Sequence, residues 1–151
     1  MRRRDFIRYL GLGSVAVTIP EAISGSWFEF QHSAAEGGYW NEALAHFTAD
    51  QWRRKVFEIR EVGMEYLVLM GVARAGKPFY PSKIAPRIPM GCDDPLEAVL
   101  SAADECGIKF FVSNDFWGDL DAYNMMLDKG VQTVRFQAME EIAERYSHHA
   151  C

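Results

Sequence analysis

Hydrophobic and polar positions change period repeatedly along this chain, and each change marks an element. From Ser26 to His32 (SWFEFQH) apolar and polar residues alternate with period two, which predicts a first strand near residues 27–32 with two unlike faces. Residues 33–47 hold Gly37-Gly38, Tyr39-Trp40 and Asn41 and predict a long loop carrying exposed rings. Thr48 and Gln51 then have capping-box spacing, apolar positions recur at Trp52, Val56, Ile59 and Val62, and Gly63 suits a left-handed stop, so a helix is predicted here. The run MEYLVLMGVA from Met64 is almost entirely apolar, as a parallel strand covered on both faces would be, and places a second strand near 64–72. Residues 74–93 are punctuated by Gly76, Pro78, Pro81, Pro86, Pro89 and Gly91 and predict irregular chain. Asp93 or Asp94 would cap the next helix, with Pro95 at its first position and Gly107 ending it. A third strand follows near 108–113, then a loop over 114–119. The last helix is expected from about Thr133 to His148, broken before that near Gly130, with Phe136, Met139, Ile142, Ala143 and Tyr146 on one face.

The order strand, helix, repeated three times, predicts an α/β fold with a parallel sheet and right-handed crossovers. Short connections into each strand and long loops out of it are the habit of the eight-stranded barrel, whose site lies at the carboxyl ends of its strands. Three strands cannot close such a barrel. The roughly 127 residues after residue 24 are about half of the ~250 typical of it. The expectation is therefore the first three βα units of a (β/α)8 TIM barrel, truncated, with a small three-stranded α/β layer as the alternative.

Composition narrows the setting. With 49% hydrophobic and 25% charged residues the chain can bury a core, which excludes collagen-like and disordered classes. Without the four arginines, one aspartate and one glutamate of residues 1–24, the net charge of -5 becomes about -7. So acidic a body repels phosphate backbones, and no nucleic-acid partner is expected. The first 24 residues have the grammar of a signal peptide: a basic start, an apolar run from Tyr9 to Ile19 too short to span a bilayer, then Pro20 and small residues. Arg3 and Arg4, followed by Asp5, Phe6, Ile7 and Arg8, resemble the twin-arginine motif. That resemblance implies the twin-arginine translocase as a transient partner, periplasmic or extracellular residence, a mature start near Gly25 and no membrane span after cleavage. Cys92, Cys106 and Cys151 lack paired spacing. Cys92 and Cys106 flank a helix that would hold them about 20 Å apart, too far for a disulfide.

The chemistry-bearing positions gather at the predicted strand ends. If Phe28 and Phe30 pack on the helices, Trp27, Glu29 and Gln31 point to the other face, the interior of a barrel. Glu29 and Asp115 are then the candidate catalytic carboxylates, since glycoside hydrolysis needs two that flank the scissile bond. Glu29 fits equally well as a structural carboxylate bonded to a neighbouring strand or to an arginine. Gln31, His32, Trp40, Tyr80, Asn114 and Trp117 are the candidate substrate-binding residues. Flat rings beside polar groups are what sugars stack upon, and Tyr39 belongs with them. Against this, Asn114 and Asp115 suit a turn, and loop aromatics can plug the top of a core. His148 and His149 favour the negative end of a helix without any metal. Neither a phosphate-cradling glycine loop nor a G-x-S-x-G elbow is present, and no cofactor or metal is expected.

The words SWFEFQHS, YWNEAL, FTADQWRRKVFEIREVGMEYLVLMG, FYPSK and SNDFWGD, in that order, resemble the bacterial domain-of-unknown-function family numbered 4434, through essentially all of residues 26–149. The resemblance implies a TIM barrel related to glycoside hydrolases, acting on or binding glycans. It also implies that relatives continue past the equivalent of EIAERYSHH into a fourth strand with an acidic residue of catalytic appearance. The organisation expected is a signal peptide over 1–24 and a partial barrel over 25–151, the fragment alone being inactive. A non-catalytic glycan-binding or surface protein is the alternative.

Overall fold

The computed structural model describes residues 23–30, 42–74, 76–113 and 127–149. Its centre is a parallel sheet of three strands, β1 (Gly25–Phe28), β2 (Tyr66–Leu69) and β5 (Lys109–Val112), in the order β1-β2-β5. The register is even: Phe28 stands beside Leu69, and Leu69 beside Val112, so the three strands end at one level. Parallel pairing follows from the helices between the strands: α2 (Ala49–Glu61) joins β1 to β2 and α3 (Pro95–Cys106) joins β2 to β5. The strands are shorter than the patterning implies, and β1 starts earlier, at Gly25. A Cβ there would lie 3.1 Å from atoms of Tyr66, which makes glycine the residue that fits closest to the neighbouring strand.

The helix ends obey local rules. Thr48 accepts from the Gln51 amide while the Gln51 side chain accepts from the Thr48 amide at 2.8 Å, so the capping box is complete. Gly63 after α2 and Gly107 after α3 have φ of 92° and 71°, the left-handed turns that a side chain would strain. Of the two aspartates that could cap α3, Asp94 does so, its carboxylate accepting from the Glu97 amide at 3.0 Å, with Pro95 in the first turn. Both loops expected to lack regular structure hold short pieces of it. A one-turn helix α1 (Glu42–Ala45) lies in the first, and Ala73–Arg74 (β3) pairs antiparallel with Lys77–Pro78 (β4) in the second. The last helix, α4 (Lys129–Tyr146), begins before Gly130 rather than after it. Asp128 caps it through the Val131 amide at 3.0 Å, and that cap carries the glycine into the helix.

The helices cover one face of the sheet. Phe28, Phe30, Leu67, Leu69 and Phe110 point to that face and are buried against Trp52 and Val56 of α2 and Val99 and Leu100 of α3. Some of these rings meet edge to face: Phe28 and Phe110 at 5.5 Å, Phe30 and Trp52 at 5.1 Å and 90°. Each such pair contributes about 0.5–1.5 kcal/mol beyond its burial. The opposite face is open. Trp27 is 67% and Phe111 49% exposed, Met70 is exposed, and Tyr66 and Val68 are half-buried. The apolar run of β2 therefore does not mean cover on both faces here: only its alternate residues, Leu67 and Leu69, are enclosed. The apolar stripe expected on α4 is covered only in part: Phe136 and Met139 are exposed, Ile142 is half-buried, and Ala138 and Tyr146 are the buried residues of that helix.

Candidate functional site

The carboxyl edge of the sheet is tied together by its own backbone. The Met70 amide donates to the Phe28 carbonyl at 2.9 Å and the Ser113 amide to the Leu69 carbonyl at 3.3 Å. The three strands therefore end side by side, at the edge where a βα array gathers its ligand-contacting side chains. Glu29 is the first residue past β1 on this edge. It is half-buried, and because Phe28 and Phe30 both sit in the core, alternation places it with Trp27 on the open face.

Tyr80 differs from the expectation for it. It presents no ring face to a sugar: it is 0% exposed and meets Tyr146 edge-on at 6.1 Å. Its hydroxyl donates to Glu141 at 3.1 Å, and burial together with that carboxylate pushes the phenol pKa up. The candidates Gln31, His32, Trp40, Asn114, Asp115 and Trp117, and Tyr39 with them, lie outside the described residues. Cys92 and Cys106 are free thiols, and burial raises the pKa of Cys92. Among the described residues, no helix is long and apolar enough to cross a membrane.

Polar groups join apolar packing in holding α4. Glu141 also accepts from the Ser82 hydroxyl at 2.5 Å and the Lys83 amide at 2.6 Å, which anchors the proline-rich loop to the helix. Tyr146 donates to both carboxylate oxygens of Asp94 at 2.9 Å. Burial raises the Asp94 pKa in spite of its bonds to the Glu97 amide and Tyr146, and burial beside Asp94 raises that of Tyr146. A shallow cleft of about 550 Å³ runs along the helix past Lys83, Gln137, Glu140, Glu141 and Glu144.

Just beyond α4 the two histidines do not simply close a helix. The His149 side chain is 5% exposed, with Nδ1 2.6 Å from Asp104 and Nε2 3.1 Å from Glu97. His148 Nε2 lies 3.5 Å from Glu97. Sequence reasoning missed this cluster because its acidic half is on α3, 45 and 52 residues away. Burial works against the charge on His149, but bonds to Asp104 and Glu97 outweigh it and its pKa rises. Burial likewise opposes the charge on Glu97, whose pKa falls because His149 and Ser101 hydrogen-bond it.

A parallel βα array with this word order is the ground on which comparison with known families rests. The family model described as "Domain of unknown function (DUF4434)" matches residues 23–151. The chain belongs to that family. The DUF4434 match starts two residues before β1 and takes in the whole sheet and the helices described around it. No curated protein matches the chain. The DUF4434 description carries no activity, so what the site does must come from its residues.

Proposed function

We propose that this DUF4434 protein is an exported, glycoside-hydrolase-like barrel protein that acts on or binds glycans, its described units being one wall of the barrel. The observation that carries this reading is the two-faced sheet. Helices cover one face, while the other holds Trp27, Tyr66, Val68 and Phe111 and brings Glu29 to the carboxyl edge. An open apolar face of this kind calls for cover, and in a barrel the cover is further strands, with Glu29 then inside the mouth. There it would serve as one of the two carboxylates of glycoside hydrolysis, Asp115 being the partner offered by this chain. His32, Gln31, Trp40, Asn114 and Trp117 would line the same mouth and contact sugar.

Carbohydrate binding without hydrolysis is the second reading, favoured by the exposed ring of Trp27 beside Glu29. Both readings are tested by presenting the protein with varied polysaccharides and measuring retention and release of reducing ends. Release that is lost in Glu29→Gln and Asp115→Asn supports catalysis, retention without release supports binding, and neither signal refutes both. Export is tested separately with Arg3→Lys and Arg4→Lys together, which should hold the protein in the cytoplasm; unchanged export would refute the twin-arginine assignment.

A further inference from the structure

We propose that Glu97, His148 and His149 form a binding site for one divalent transition-metal ion of the zinc type, oriented from behind by Asp104 and Ser101. Zinc takes imidazole nitrogen and carboxylate oxygen at about 2.0–2.2 Å. Ligand atoms at tetrahedral angles on such an ion stand about 3.3 Å apart. The separations here bracket that value: 3.1 Å from His149 Nε2 to Glu97 and 3.5 Å from His148 Nε2 to Glu97. All three ligand atoms lie within 4.8 Å of one another, and the exposed His148 ring is free to close the remaining gap.

The surroundings are those of a ligand set. Asp104 lies 2.6 Å from His149 Nδ1, and a carboxylate on one ring nitrogen fixes the proton there and leaves Nε2 to the metal. Ser101 donates to Glu97 Oε1 at 3.0 Å and sets the plane of that carboxylate. Glu97, Ser101 and Asp104 all belong to α3, which is buried in the core through Leu96, Val99 and Leu100, so three of the five groups stand on rigid backbone. Two carboxylates facing two imidazoles give the cluster an excess of negative charge. A dication would offset part of it. With three protein ligands the ion keeps a fourth position for water. The site clasps the segment after α4 onto α3 and lies on different residues from those assigned to glycan, so the two proposals stand or fall apart.

The test is calorimetric titration of the whole protein with zinc chloride, together with the visible spectrum of the cobalt(II) form. The expected result is one ion per chain and an intense four-coordinate cobalt spectrum. His148→Ala, which removes an exposed ligand without disturbing the fold, should weaken binding more than ~10-fold, and Asp104→Asn by ~10–100-fold. His46→Ala, an exposed histidine elsewhere on the surface, should change nothing. The proposal is overturned by the absence of stoichiometric binding, or by binding that His148→Ala leaves intact or that His46→Ala abolishes.

Discussion

The bond from Tyr146 to Asp94 joins the last helix to the first turn of α3, and Tyr146→Phe removes it while keeping the ring. The ring is 2% exposed and packs edge-on against Tyr80, so its apolar contacts survive the change. What is lost is a hydroxyl shared at 2.9 Å by both oxygens of a carboxylate. Hydrogen bonds to charged groups contribute about 1.5–3 kcal/mol. The Asp94 side chain retains 19% exposure and its bond to the Glu97 amide, so water can replace part of the loss and the lower figure applies. We expect Tyr146→Phe to cost about 1.5 kcal/mol, a fall in Tm of about 3–6 °C for a chain of this size. Urea unfolding followed by tryptophan fluorescence measures it, with the slope unchanged. Asp94→Asn keeps the helix cap but removes the charge, so a double-mutant cycle should give a coupling of about 1 kcal/mol. Burial holds the Asp94 pKa above its ordinary value, so its ionisation already works against folding as pH rises, and the Tyr146 bond limits that penalty. The deficit of Tyr146→Phe should therefore shrink as pH falls into the range where Asp94 takes up a proton. A deficit below ~0.3 kcal/mol, or strict additivity with Asp94→Asn, would refute the reasoning.

Other tests address the remaining contacts. The pKa of His149 is raised, so its contribution is complete below the ordinary histidine value and fades as pH rises through the folded one. That of Glu97 is lowered, so its contribution is complete above the ordinary carboxylate value and fades at lower pH. Metal-free protein should thus gain most from the pair between about pH 4.5 and 6.5, and His149→Gln should flatten the Tm profile across that window; an unchanged profile would contradict the ion-pair geometry. Trp27→Ser with Phe111→Ser should raise solubility and alter stability by less than ~0.5 kcal/mol each, whereas Phe110→Ala, on the covered face, should cost about 3–5 kcal/mol; equal costs in chemical denaturation would mean that both faces are packed. Gly91→Ala should destabilise the chain measurably, because the added Cβ would overlap the His46 carbonyl where the Gly91 amide donates to Ala45; an unchanged urea midpoint would count against that close approach.

Elements governed by neighbours in sequence were the legible ones. Thr48, Gly63, Asp94 and Gly107 act through backbone groups a few residues away, so their spacing alone predicts where helices start and stop. Parallel pairing of the three strands was legible too, because helical connections leave it as the economical topology. Gly130 misled because glycine in a helix costs about 1 kcal/mol, while the Asp128 cap that offsets it counts for little in a pattern of apolar residues. Tyr80 misled for a different reason. An aromatic in a proline-rich loop looks the same whether it faces water or core, and its direction here is decided by Glu141, 61 residues on. The histidine cluster was illegible on the same ground. At the carboxyl edge, the burial of Phe28 and Phe30 was legible from their alternation.

Each strand of the main sheet pairs with the one that precedes or follows it in that sheet, so spatial order repeats chain order. Within this sheet every strand pairing is then between neighbouring units. Growth of the structure can follow growth of the chain, with β1 and α2 already a template when β2 arrives, and β2 a template for β5.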